Sequence, residues 1–434
     1  MQRTLYKDLV DWKNRSRRKP LILLGARQVG KTYILKEFGG KEFNSLVYFN
    51  CHKDSYASEL FRDVNADRIL NELSSYCNVV IVPGETLVVF DEIQEVKNGI
   101  ASLKYFCEDH SDLHVAVAGS LLGISLREGE SYPVGKVETM RLFPMTFSEY
   151  LLAKGRNGLL ATLDHQDWET LKAQSDIFVS LLREYCFVGG MPEAVAEYIE
   201  TENTARVRLV QMEILDAYRR DMAKHTKPTT QRINMVWDSI PSQLARENKK
   251  FVFGAVRKGG RAADFEIAIQ WLTDAGIAVK VPKTREPRKP LKFYADNTVF
   301  KLYMQDCGLL ACMSNAAPRD MLLGNHPFVE FKGAFTENYV LQQILPYLNS
   351  IYYFSKDNST QEIDFLIEND NRVIPIEVKA EVNVKSKSLA GFINRDHADK
   401  KLKGVRFSMQ PYEDQGWMEN IPLFAVESFI RHNL

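Results

Sequence analysis

The sequence predicts an α/β protein whose first part is a parallel sheet with helices on both faces, and three observations carry that prediction. An apolar run, Leu21-Ile22-Leu23-Leu24, leads into a glycine-containing turn and then a helical run from Tyr33 to Phe38. A second apolar run, Thr86 to Phe90, ends in Asp91-Glu92, and a third, His114 to Ala118, ends in Gly119-Ser120. With the apolar stretch Leu46 to Asn50 between them, strands and helices alternate along the chain, which is the pattern of a parallel sheet.

The turn after the first strand reads G-A-R-Q-V-G-K-T over residues 25–32. This is the phosphate-loop pattern in the context it requires: strand, Gly-containing turn, helix. Gly25 and Gly30 let backbone approach phosphate without a Cβ in the way. The segment Gly25, Ala26, Arg27, Gln28, Val29, Gly30, Lys31, Thr32 and Tyr33 is the expected nucleotide-binding stretch, its amides facing the anion at the helix N-terminus. Lys31 is expected to reach the β- and γ-phosphates and the Thr32 hydroxyl to ligate Mg²⁺.

Four apolar residues before Asp91 read as a strand buried on both faces. Ligands of open α/β sheets bind at the C-terminal ends of strands, where Asp91 and Glu92 sit. Asp91 is expected to hold the Mg²⁺ shell and Glu92 to polarise the attacking water. Ser120, at the end of the third strand, is expected beside the γ-phosphate as a polar sensor.

These motifs, G-A-R-Q-V-G-K-T, V-V-F-D-E-I-Q and A-V-A-G-S, resemble an AAA+ ATPase of the branch that includes the STAND and archaeal-type ATPases. The segment Gly189-Gly190-Met191-Pro192-Glu193 resembles the G-G-x-P-E element of that branch's small helical lid. The resemblance implies ATP as ligand and places Pro192 near the adenine; read locally, Gly189-Gly190 ends one helix and Pro192 starts the next. Where the family often has Gly-Arg, this chain has Gly135-Lys136, and lysine lacks the planar fork of an arginine finger. Arg127 and Arg141 are the candidate fingers, and a finger acting in trans would imply a homo-oligomer, a ring or dimer.

From about Thr201 the pattern turns helical. Ser239 to Glu247 reads as the start of a short helix. Phe265, Ala268, Ile269 and Leu272 share one face of a helix over 263–275. A strand at Ile277–Val281, a basic turn, and a strand at Leu291–Tyr294 then resemble a winged helix. Basic residues including Lys249, Lys250, Lys283 and Arg285 suit contact with DNA phosphate, whereas Asp264, Glu266 and Asp274 on the helix at the recognition position suit DNA poorly, and the resemblance to that ATPase branch implies internal docking as the other role.

The last third carries Glu337 near the start of an amphipathic helix, Asp364 in a strand over 361–367, and Glu377-x-Lys379 in a strand over 372–380. Strand alternation puts Glu377 and Lys379 on one face. This set resembles the PD-(D/E)XK nuclease signature, with Ile363 where the name has proline. The resemblance implies that Asp364 and Glu377 hold Mg²⁺, that Glu337 supports the metal from the helix, and that Lys379 orients the water or neutralises charge.

The expected organisation is a P-loop ATPase core over 1–150, a helical lid over 151–225, a winged-helix-like middle over 226–295 and a restriction-endonuclease-like α/β domain over 296–434. A chain of 434 residues with 45% hydrophobic and 26% charged residues has the composition of an ordinary globular protein. Net charge is 0, so global charge gives no drive toward nucleic acid and any contact with DNA rests on local patches in the middle and C-terminal domains. Six scattered cysteines show neither C-x-x-C nor zinc spacing. The N-terminal residues have no apolar signal region and no apolar stretch approaches the length of a membrane span, so a cytoplasmic location without membrane contact is expected. The functional expectation is an ATPase with a metal-dependent DNA nuclease domain gated by nucleotide state. The alternatives are a nucleotide switch that binds a protein or nucleic acid and cuts nothing, and a motor that remodels a partner.

Overall fold

The computed structural model describes residues 1–119, 133–322, 332–348, 350–356, 359–369, 372–380 and 386–433. Ser120 and Arg127 lie outside the described residues. The chain divides into two compact units, Met1–Phe143 with Asp274–Gly276, and Pro144–Thr273 with Ile277–Leu434.

Among its described residues the first unit holds five strands, β1 (Leu21–Leu24), β2 (Ser45–Asn50), β3 (Thr86–Asp91), β4 (His114–Ala118) and β5 (Glu138–Arg141), in the order β2-β3-β4-β1-β5. Every pairing is parallel. Side chains alternate across the sheet, as a period of two requires. Ile22, Val88, Phe90, Val115 and Val117 join one core with Ile69, Leu73, Ile100 and Leu103 of the helices Ala66–Cys77 and Gly99–Asp109. Leu21, Leu23, Leu87, Val89, Ala116 and Ala118 join the other, with Leu9 and Trp12 of the helix Leu5–Lys13 and Ile34, Leu35 and Phe38 of the helix Lys31–Glu42. The expected doubly covered parallel sheet is therefore present. Its register levels the strand ends: Ala118 of β4 pairs with Leu23 on one side and Asp91 on the other.

The second unit is built on a mixed eight-stranded sheet: β6 (Ala278–Thr284), β7 (Ala295–Met304), β8 (Tyr352–Ser355), β9 (Glu362–Glu368), β10 (Val373–Val378), β11 (Gly404–Ser408), β12 (Glu413–Asp414) and β13 (Met418–Pro422). The order is β12-β13-β11-β10-β9-β8-β6-β7. β10, β11 and β13 run parallel, β9 is antiparallel to both β8 and β10, and β6 is parallel to β8.

Three details differ from expectation. The segments expected as lid, middle and C-terminal domains fall in this one unit apart from Asp274–Gly276. The strand expected at Leu291–Tyr294 is not there: that segment forms a 3-10 turn, the strand that pairs with β6 begins at Ala295, and β6 pairs with β7 on one edge and β8 on the other. Ser239 and Pro241 do not open a helix but lie inside Lys227–Leu244, where Ile233, Val236, Trp237, Ile240 and Leu244 bury one face. Burial of that face holds the helix through a proline that removes one backbone bond.

The helical segment after Pro144 is tied to the C-terminal segment. The helix Phe147–Ala153 begins in a capping box of Thr146 and Glu149. Its first free amides are then met by distant side chains, Phe147 N–H by Gln343 Oε1 at 2.7 Å and Ser148 N–H by Glu427 Oε2 at 3.1 Å. No helix among the described residues is long and apolar enough to cross a membrane.

Candidate functional sites

The loop between β1 and the helix Lys31–Glu42 takes the backbone form its glycines allow. Gly25 has φ of 147°, and a Cβ there would stand 2.3 Å from the Leu142 carbonyl oxygen. Gly30 has φ of 101° and Gln28 of 64°, so the turn is left-handed at both. Ala26 and Val29 are buried, Arg27, Gln28 and Tyr33 exposed. The Lys31 ammonium donates to the Gly25 and Ala26 carbonyls at 2.8 and 2.9 Å. Burial pushes it down to about 8, against the opposing pull of Glu92 and Asp91.

Asp91 ends β3 and is 4% exposed. Its Oδ2 accepts from Thr32 Oγ1 at 2.9 Å, from Tyr48 OH at 2.6 Å and from Asn50 Nδ2 at 3.5 Å. The structure thus brings Lys31, Thr32 and Asp91 together as the motifs require. Tyr48 and Asn50 went unread in the sequence; the available signal was two polar groups at the C-terminal end of an otherwise apolar strand. Glu92 takes φ of 54° and opens a 3-10 turn, Ile93–Glu95, that brings the Gln94 amide back to donate to Glu92 Oε2. Thr32 and Asp91 offer two oxygen donors and no nitrogen or sulfur, a set that suits a hard divalent cation.

Of the arginine-finger candidates, Arg141 ends β5 and is exposed. Lys136 instead pairs with Glu108 at 2.8 Å. Pro192 is the first residue of the helix Pro192–Thr201. The glycines before it serve close packing inside the second unit. Gly190 N–H donates to Asp306 Oδ2 at 2.6 Å, and a Cβ on Gly190 would meet the Met145 carbonyl oxygen at 2.1 Å.

In the second unit, the β9–β10 register pairs Phe365 with Ile376, so one step further sets Asp364 against Glu377 on one face. The Val378 amide donates to Asp364 Oδ2 at 2.7 Å. Lys379 Nζ lies 2.9 Å from Glu377 Oε1, which agrees with the alternation expected of that strand. Glu377 is 2% exposed, and its Oε2 is buried with no hydrogen-bond partner. Glu337, on the helix Lys332–Ile344, joins Asp364, Glu377 and Lys379 in lining one cavity of about 1030 Å³.

Glu337 is engaged by groups the sequence did not single out for this place. Lys249 Nζ lies 2.6 Å and Lys301 Nζ 3.5 Å from its oxygens, and Tyr303 OH donates to Oε2 at 2.9 Å. Lys301, fully buried on β7, also lies 2.5 Å from Glu362 and 4.0 Å from Asp364. Burial alone would raise the Glu337 carboxyl, but Lys249 and Lys301 outweigh it and hold the group well below the carboxylate range. Asp364 goes the other way, raised by burial and by the nearby Glu337 charge. The legible sign of Lys301 was a lysine inside the apolar run Val299-Phe300-Lys301-Leu302-Tyr303-Met304. Among the described residues, no three His, Cys, Asp or Glu side chains converge as a metal cage. Glu337, Asp364 and Glu377 share a cavity, with ammonium groups facing Glu337.

Residues 17–151 match the family described as "AAA domain". Residues 179–320 and 332–426 each match a family described as a domain of unknown function (DUF8612 and DUF4143). No curated protein matches. Among solved structures, the Walker-type ATPase PABY2304 of Pyrococcus abyssi is 15% identical, covering 72% of this chain and 95% of that one at a TM-score of 0.45. The Aeropyrum pernix ORC1 protein, solved in complex with DNA, is 12% identical over 72% of this chain and 90% of that one at a TM-score of 0.27. The STAND protein PH0952 of Pyrococcus horikoshii, with a tetratricopeptide repeat sensor, is 8% identical over 80% of this chain and 48% of that one at a TM-score of 0.28. The family match and the loop geometry agree on an AAA-type nucleotide-binding domain in the first part of the chain.

Proposed function

We propose that the first unit binds ATP with Mg²⁺ and hydrolyses it. The observation that carries this is the Thr32 hydroxyl 2.9 Å from Asp91 Oδ2, beside a buried Lys31 held on the phosphate loop. Lys31 supplies positive charge to the β- and γ-phosphates, and the amides from Gly25 to Tyr33 wrap them. Thr32 and Asp91 would hold Mg²⁺, which supplies charge neutralisation at the phosphates. In this reading Glu92 polarises the attacking water and Ser120 senses the γ-phosphate. Release of phosphate from ATP by the full chain, lost in Lys31→Ala, tests this reading.

For the second unit the proposed activity is metal-dependent cleavage of a DNA phosphodiester, under control of the nucleotide state. Its support is the unpartnered, buried Glu377 Oε2 beside Asp364 and Lys379. Asp364 and Glu377 would hold a divalent ion there, Lys379 orients the water, and Glu337 supports the site from its helix. A second reading has its own observation: Lys249 and Lys301 already neutralise Glu337, which suits a nucleotide-dependent switch that binds DNA or protein without cutting. Labelled linear, circular and single-stranded DNA incubated with Mg²⁺ or Mn²⁺, with and without ATP, separates the two. Cleavage lost in Asp364→Asn establishes the nuclease, and its response to Lys31→Ala establishes gating. Intact DNA under every condition leaves the switch. Exposed Arg141 is the described candidate for a finger acting between copies, and ATP-dependent assembly in sedimentation is its check.

A further inference from the structure

Gln94 is buried two residues beyond Glu92, and its two amide atoms are in unequal situations. The nitrogen donates to Glu92 Oε2. The oxygen is buried and accepts no hydrogen bond. Exchanging the two amide atoms would set an oxygen against a carboxylate oxygen, so the orientation is decided by Glu92 itself. A buried glutamine with an unmet carbonyl is a poor way to fill a core, since an apolar side chain of the same length would lose nothing there. What the glutamine gains at this place is the bond to Glu92.

The backbone supports the same conclusion. Glu92 sits in the left-handed region at φ 54°, uncommon for a residue with a side chain. Its amide is tied to the Ala118 carbonyl at 2.7 Å, and the 3-10 turn Ile93–Glu95 follows at once. Ile93, on the same turn, is fully buried and anchors it in the core. Gln94 is therefore held on a short rigid turn.

We propose that Gln94 is a positioning residue for ATP hydrolysis, fixing the Glu92 carboxylate in the orientation from which it accepts a proton from water. The inference rests on the hydrolytic reading of Glu92. In that step the water oxygen bonds to the γ-phosphorus as the bond to the β–γ bridging oxygen breaks. One water proton passes to Glu92 and is then released, the other stays on the phosphate, and ADP leaves. Gln94 touches none of the reacting atoms and acts through Glu92.

The test compares wild type, Gln94→Met, Gln94→Ala, Glu92→Gln and the double variant Glu92→Gln/Gln94→Met in the full chain. Phosphate release gives kcat and KM, and a fluorescent ATP analogue gives binding. Gln94→Met preserves length and volume, so it keeps the fold if Gln94→Ala does not. The expected result is a kcat at least tenfold lower in Gln94→Met with KM and analogue binding within twofold of wild type. In the Glu92→Gln background, Gln94→Met should cause no further loss, because its route of action is already gone. Unchanged kcat in Gln94→Met, a loss confined to binding, or a full additional loss in the double variant overturns the proposal. If Glu92→Gln itself turns over normally, the hydrolytic role of Glu92 fails first and separately.

Discussion

Lys249 and Glu337 form an ion pair at 2.6 Å, both shielded from solvent and far apart in sequence. The pair joins the stretch after the helix Lys227–Leu244 to the helix Lys332–Ile344, and Lys301 reaches the same carboxylate from β7. Breaking a buried pair from one side leaves a charge without compensation, at a cost of about 3–5 kcal/mol. Glu337→Gln should therefore destabilise the second unit by about 3 kcal/mol. Lys249→Met should cost less, because Lys301 and Tyr303 still serve Glu337. Denaturant midpoints of the full chain check the order; equal losses would show that Glu337 is not the anchor.

His114 makes the first unit sensitive to acid. Its ring packs edge-on against Trp12 and Phe43, with centroids 5.7 and 4.8 Å away. Burial first, and the Arg18 and Lys13 charges after it, lower the imidazole from 6.5 to about 4. Between those values the unfolded chain binds a proton that the folded chain refuses, so stability is full above pH 6.5 and falls toward pH 4. The loss approaches about 3 kcal/mol at its full extent. His114→Phe keeps an aromatic ring in place and removes the titration. Melting curves across this range should flatten in that variant, and an unchanged slope would assign the acid sensitivity to other groups.

Tyr48 is a modest contributor to the nucleotide site. Its hydroxyl is one of three groups donating to Asp91 Oδ2, and burial pushes it up to about 12, so it stays a donor at neutral pH. Tyr48→Phe removes one hydrogen bond worth about 1 kcal/mol. The expected change is roughly a fivefold rise in the Mg²⁺ concentration for half-maximal ATP turnover. Thr32→Val, which removes a proposed ligand, should lower turnover about a hundredfold. Mg²⁺ titrations of phosphate release distinguish the two sizes of effect.

Gly190→Ala should unfold or strongly weaken the second unit. The new methyl would meet the Met145 carbonyl oxygen at 2.1 Å, where backbone cannot yield easily. Overpacking of this kind costs about 1–3 kcal/mol or more. A melting temperature equal to wild type would mean that the segment around Met145 moves freely.

Much of the first unit was legible in the sequence because its signals are local. Apolar runs named the strands, and the motif spacing named Lys31, Thr32, Asp91 and Glu92. Tyr48 and Asn50 were hidden because their role depends on β2 lying beside β3, a register no local pattern states. In the second unit, Asp364, Glu377 and Lys379 were legible from alternation and order. Lys249 and Lys301 were not, since they meet Glu337 only after β7 and two distant helices pack. Lys249 in particular read as a surface cation for phosphate, whereas tertiary contact turns it inward. The strand expected at Leu291–Tyr294 begins later, at Ala295, because the polar, Pro-containing turn before it extends further than a short hairpin needs.

The place of β6 between β7 and β8 bears on how the chain can be dissected. Cutting at the sequence boundary 295/296 would separate two hydrogen-bonded strands and leave β8 with an exposed row of amides and carbonyls. Such an edge invites another chain to pair with it, so a fragment beginning at 296 should aggregate. A fragment retaining everything after Phe143 keeps the sheet whole, and that is where proteolysis or genetic truncation should yield a soluble piece.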